Sequence, residues 1–92
     1  MEDQERIVEH VSGLGLLMAS DPTLPQAPRQ VVGYFVTVFQ DSLYHQRLVV
    51  DFEPPLITPP SGSVTLRLQD NRRIEGTLRG QQFEARGPIL PR

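Results

Sequence analysis

Residues 31–40 constrain the fold more than any other stretch of the chain. They are dense in β-branched and aromatic side chains, which favour the pleated backbone of a strand. Alternation places Val31, Phe35 and Phe39 on one face and Val32, Tyr34, Val36 and Val38 on the other. A strand that is apolar on both faces needs cover on both. A chain of 92 residues makes one domain with a modest core. The second cover therefore comes from the far half of the same sheet or from another chain. On this reading Val32, Tyr34, Val36 and Val38 form the candidate interaction surface.

Turn signals and prolines divide the rest. Asp41-Ser42 reads as a two-residue turn, and residues 43–52 as the returning strand. That turn sets Phe39 opposite Tyr44, Phe35 opposite Leu48, Gly33 opposite Val50 and Val31 opposite Phe52, a continuous apolar ladder. Pro54, Pro55, Pro59 and Pro60 bar a central strand from residues 53–62, which read as a crossover. Residues 63–86 read as a three-stranded meander. A three-residue loop, Asp70-Asn71-Arg72, sets Leu68 against Ile74 and Val64 against Leu78 and calls for a left-handed Asn71 or Arg72. The Gly80-Gln81 turn sets Leu78 against Phe83 and Gly76 against Ala85, with Phe83 filling the gap left by Gly76. Residues 87–92 read as a tail.

The N-terminal segment carries a different period. Ile7, Val11, Leu14 and Met18 recur at helical spacing, with Val8 and Leu17 widening the stripe. Glu2, Asp3 and Glu5 suit the first turn of a helix, where the dipole favours anions. Gly13 and Gly15 oppose the helix by about 1 kcal/mol each. The spacing predicts a helix over 2–19. A connector follows over 20–30, where Pro22, Pro25 and Pro28 fall every third residue, the period of polyproline II. The expected fold is α+β and mostly β: one N-terminal helix packed on a five-stranded, mostly antiparallel sheet, partly rolled into a small barrel or sandwich.

Chemistry-bearing groups are sparse. With no cysteine, thiolate metal sites and disulfides are excluded. His10 and His45 have no second ligand at metal spacing, and the serines sit at caps, turns and linkers. No catalytic, cofactor or metal site is expected. No apolar run approaches the roughly 18 residues that span a bilayer, and the acidic start Met1-Glu2-Asp3 is not that of a secretory signal. The expected location is the cytoplasm.

Charge is divided along the chain. Residues 1–60 hold eight acids and three arginines, and residues 61–92 hold three acids and six arginines, within a net charge of −2. There is no lysine. By alternation Arg67, Arg73 and Arg79 lie together on the outer face of the meander, the candidate surface for an anion or a partner. Nucleic-acid sheets add stacking aromatics, and none accompanies these arginines.

Two short stretches resemble known families. Val64-Thr-Leu-Arg-Leu-Gln-Asp-Asn-Arg-Arg-Ile-Glu-Gly-Thr-Leu78 resembles the first half of the Sm-like motif, with Arg86-Gly87 similar to its second. That resemblance implies a bent five-stranded barrel that forms rings and binds RNA, but the family has no hairpin at 31–52. Gln30-Val31-Val32-Gly33 resembles a loop of the cystatin protease inhibitors, without its alanine. The sequence as a whole points to a non-enzymatic protein-interaction or assembly module, an accessory subunit or adaptor, with a protein partner or a homo-oligomer. The alternative is a nucleic-acid-binding barrel using the arginine meander, followed by a protease inhibitor. No membrane or small-molecule substrate is indicated.

Overall fold

Residues 6–19 form a strand, and this changes the fold class. The computed structural model of the chain describes residues 4–19, 29–57 and 61–91. Six strands follow in order: β1 (Arg6–Ala19), β2 (Arg29–Gln40), β3 (Gln46–Phe52), β4 (Gly62–Arg67), β5 (Arg73–Arg79) and β6 (Gln82–Ala85). They close into an antiparallel barrel in the order β1-β2-β3-β6-β5-β4, with β4 returning to pair with β1 in Greek-key fashion. The expected helix over 2–19 and the five-stranded sheet are both overturned, and the described residues contain no helix. Of the expected connector at 20–30, all but Arg29 and Gln30 lies outside the described residues.

The physical reason lies in the inward positions of β1. Val11, Gly13, Gly15 and Leu17 point into the barrel, opposite Val36, Tyr34, Val32 and Gln30. Two of the four are glycine, so the two-residue period is invisible to a hydrophobicity pattern. The helical spacing of Ile7, Val11, Leu14 and Met18 mixes one inward residue with three outward ones. Glycine is required sterically at position 15, because a Cβ there would collide with the Arg67 carbonyl of β4. Between Ile7 and Glu9 the β1–β2 register shifts by one, leaving Val8 as a bulge.

The interior is apolar throughout. Val36, Val64, Leu66, Ile74 and Leu78 are fully buried, and among the described residues no polar or charged residue is buried with them. Each such side chain contributes roughly 1.5–3 kcal/mol by leaving water. Tyr34 is buried with its hydroxyl accepting the Gln69 N–H at 3.0 Å, so its polar end is satisfied.

Turn geometry set the registers. The β2–β3 connection is a five-residue loop, Asp41 to His45, not the two-residue turn. The Asp41 carboxylate accepts the N–H groups of Leu43 and His45 at 2.8 and 2.9 Å, and Tyr44 takes φ 64°. The pairing that results is Tyr34↔Phe52, Val36↔Val50, Val38↔Leu48 and Phe39↔Arg47. This differs from the expected ladder by an odd number of residues, and an odd slip exchanges the two faces of a strand. At β4–β5 the pairs are Val64↔Gly76, Leu66↔Ile74 and Arg67↔Arg73, an even slip that preserves the faces. Asn71 takes the left-handed conformation expected there, at φ 74°. The β5–β6 turn gives the expected pairs Leu78↔Phe83 and Gly76↔Ala85.

Closure rests on two unequal seams. β1 and β4 pair over four positions, Leu16 to Ala19 against Arg67 to Val64. β3 and β6 pair at two, Val49↔Glu84 and Val50↔Phe83. Beyond β6 the chain does not hang free, since Leu90 exchanges backbone hydrogen bonds with Arg73 at 2.8 and 3.1 Å.

Gly76 tests the packing. A Cβ there would meet the Phe83 ring at 2.7 Å and the Glu84 carbonyl, whereas one at Gly87 would meet nothing. Gly76→Ala should lower stability by about 1–3 kcal/mol, and Gly87→Ala should change it by less than about 0.5 kcal/mol, both measured by urea denaturation.

Candidate functional site

The register decides which face of β2 is available. Val32, Tyr34, Val36 and Val38, expected to form an interaction surface, are at most 6% exposed and fill the barrel. Both halves of the chain cover them, so they present no surface, and that expectation is corrected. The outer face of β2 instead carries Val31, Phe35, Thr37 and Phe39, beside the outer residues Ile7, His10, Leu14 and Leu16 of β1.

Two of these apolar groups are partly covered. The Arg47 guanidinium lies over the Phe39 ring at 4.5 Å, held there by two-point pairing with Glu5 at 3.0 and 3.1 Å. The Glu5 partnership raises the Arg47 pKa further above its ordinary value. The His10 ring packs against Phe35 with centroids 5.3 Å apart and planes tilted by 42°. The other end of the hairpin is bare: Leu14 is 64% exposed and Val31 72%. Leu14 lies opposite Gly33, whose missing side chain leaves it without a cross-strand neighbour. Val31 lines a groove of about 80 Å³ with Pro54, Pro55 and the exposed Ile57 of the crossover.

The same region has an open strand edge. β4 accompanies β1 only from Leu16 to Ala19, while β2 pairs with β1 as far as Arg6. Backbone groups alternate sides along a strand. The Leu14 N–H points toward the β4 side and is met by Gln69 Oε1 at 3.2 Å. Ser12 and His10 share that direction, and no strand among the described residues pairs with them there.

The arginines lie just beyond this edge. Arg67 faces Arg73 directly across the β4–β5 ladder, and both are exposed on the outer surface. Arg79 sits at the far end of β5, opposite Gln82. Arg72 pairs with Asp70 at 2.7 Å, whereas Arg67, Arg73 and Arg79 make no ion pair among the described residues. One outer row thus reads Val31, Leu16, Arg67, Arg73 across four strands, apolar on one half and cationic on the other. Arg79 is not part of this row. It lines a groove of about 660 Å³ over the β3–β6 seam with Arg47, Asp51 and Glu84, where opposite charges mix.

His45 lies outside both features, at the tip of the hairpin, with Nδ1 3.3 Å from Asp41 Oδ2. Among the described residues, no three His, Asp or Glu side chains come together to hold a metal ion. No helix of the described residues is long and apolar enough to cross a membrane. Gln30-Val31-Val32-Gly33 lies within β2, not in a loop.

Sequence reasoning missed the open edge because it placed β1 in a helix. The alternation Ser12, Leu14, Leu16 was the available signal, interrupted by glycine.

The turn at the hairpin tip titrates. The His45 N–H bond is the main effect that lowers the Asp41 pKa; burial opposes it next, and the Leu43 N–H and the His45 side chain lower it further. A depressed folded pKa means that the turn is stabilised above the unfolded value of about 3.9 and loses this as pH falls through the folded pKa. The amide NMR signals of Leu43 and His45 should hold steady down to about pH 4 and shift together below it. A midpoint at or above the ordinary aspartate value would contradict this turn.

Comparison with protein-family models, with curated proteins and with solved structures finds no match for this chain, so the barrel and its exposed row stand on their own geometry.

Proposed function

We propose that the chain is a non-enzymatic protein-interaction module that docks a partner on the outer face of its β1–β2 hairpin. The carrying observation is the segregation of exposed apolar side chains. Ile7, Leu14, Val31 and Phe35 lie on the outside of the β1–β2 half of the barrel, while Leu43 and Tyr44 are exposed at the β2–β3 tip and Ile57 on the crossover. The outer positions of β4, β5 and β6 are threonine, arginine, glutamate and other polar residues. Exposed apolar groups gathered on one side favour a protein contact, because covering Leu14 and Val31 releases roughly 1.5–3 kcal/mol each. A cytoplasmic location belongs to this reading, supported by the absence of cysteine.

Nucleic acid is the second reading. It draws on Arg67, Arg73 and Arg79, which have no carboxylate partner among the described residues. Against it, Phe83, the aromatic residue of β4–β6, points into the core, so the strands that carry these arginines offer no ring for a base to stack on.

Photo-crosslinking in the producing cells distinguishes these. A photoreactive residue at position 31 or 35 should give a discrete protein adduct, and one at position 77 or 82 should not. The adduct mass tells a second copy from a different protein. Equal labelling from both faces, or none from 31 and 35, would overturn the reading.

A further inference from the structure

We infer that the partner enters as an extended acidic segment, added as a strand to the open edge of β1, with a carboxylate held between Arg67 and Arg73. The inference rests on the docking reading above and names the form and charge of what docks.

Three observations converge. First, the backbone groups of His10 and Ser12 face away from β2 and have no ladder partner on that side among the described residues. An unpaired edge of this kind is a template for an incoming strand, which satisfies both residues at once. Second, the exposed Leu14 stands on the outer surface beside it, where an apolar side chain of an added strand would rest, with the exposed Val31 one strand further on. Third, Arg67 and Arg73 face each other with no acid bonded to either among the described residues. Like charges directly opposite each other repel, and an anion between them relieves this.

The added strand is taken as antiparallel, in keeping with its neighbours. Every ladder in the barrel is antiparallel. A strand antiparallel to β1 continues the line of β4 past the Gln69 side chain, so its first residues lie at the β4–β5 turn. Three or four residue positions separate them from Arg67, about 10–13 Å at 3.3 Å per residue. An extended arginine and a glutamate close that gap between them.

A second copy of β1 on this edge would offer the arginines only the few acids ahead of its own strand, Glu5 of which is already paired with Arg47. The inferred occupant is a different protein, and a peptide that binds the chain in place of self-association is the outcome that separates the two.

The test uses the whole chain and a phage-displayed library of random 12-residue peptides. Enriched peptides should alternate apolar residues and carry Asp or Glu near their N-terminal end. For the best of them, N-methylation of alternate backbone amides should abolish binding. Arg67→Glu with Arg73→Glu should weaken binding at least about tenfold, equivalent to 1.4 kcal/mol. Ser12→Pro should do the same while the far-UV spectrum is unchanged, because the lost N–H serves neither β2 nor β4 and edge strands tolerate proline at such positions. The peptide-side methylation keeps the test decisive should Ser12→Pro fail to fold.

Three results would overturn the inference: no enrichment, enriched peptides without acids, or binding indifferent to methylation. Preferential, salt-sensitive binding of labelled RNA or DNA that is lost in the double arginine variant would overturn it too. If Val31→Asp abolishes peptide binding while methylation and the arginine changes do not, the docking reading stands and the strand-addition inference falls. If Val31→Asp has no effect, the docking reading fails first.

Discussion

A barrel of six strands has a narrow interior, and each strand can send only its alternate side chains into it. In β2 these are Val32, Tyr34, Val36 and Val38, a set with no polar break except the Tyr34 hydroxyl, which Gln69 satisfies. Once they are inside, Val31, Phe35 and Phe39 are outside, whatever the solvent prefers. The surface apolar row is therefore a consequence of core parity. The chain tolerates it partly by laying Arg47 over Phe39 and packing His10 against Phe35. Among the described residues, Leu14 and Val31 receive no comparable cover.

That parity was only half legible in the sequence. The β5–β6 hairpin could be read because Gly80 supplies a tight two-residue turn with φ 60°, and Phe83 then has one place to go, over Gly76. The faces of β4 and β5 survived an error in loop placement because the slip was even. The β2–β3 register did not, because the Asp41 carboxylate organises five residues where two seemed sufficient. Local turn signals do not report a side chain that bonds the backbone two and four residues ahead.

β1 shows the other limit. Gly13 and Gly15 occupy inward positions that a pattern search scores as empty, though the close approach of β4 is what demands a small residue at 15. Helical spacing then appeared by chance from two faces counted together. The candidate site suffered accordingly. Arg67 and Arg73 were placed on the correct face from alternation alone. The edge beside them was out of reach until residues 6–19 were seen as a strand.

The unequal seams carry a consequence for how the barrel closes. The molecule consists of two three-stranded lobes, β1–β3 and β4–β6, joined by four paired positions on one side and two on the other. On the shorter side the Gln81 side chain adds a clasp, bonding both the N–H and the carbonyl of Leu56 at 2.7 and 3.0 Å. The β3–β6 seam therefore holds with fewer ladder pairs than the β1–β4 seam and leans on a side chain to complete its closure. Arg67, Arg73 and the edge of β1 left unpaired among the described residues lie by the longer seam, so whatever binds them rests on the better-paired side of the cylinder.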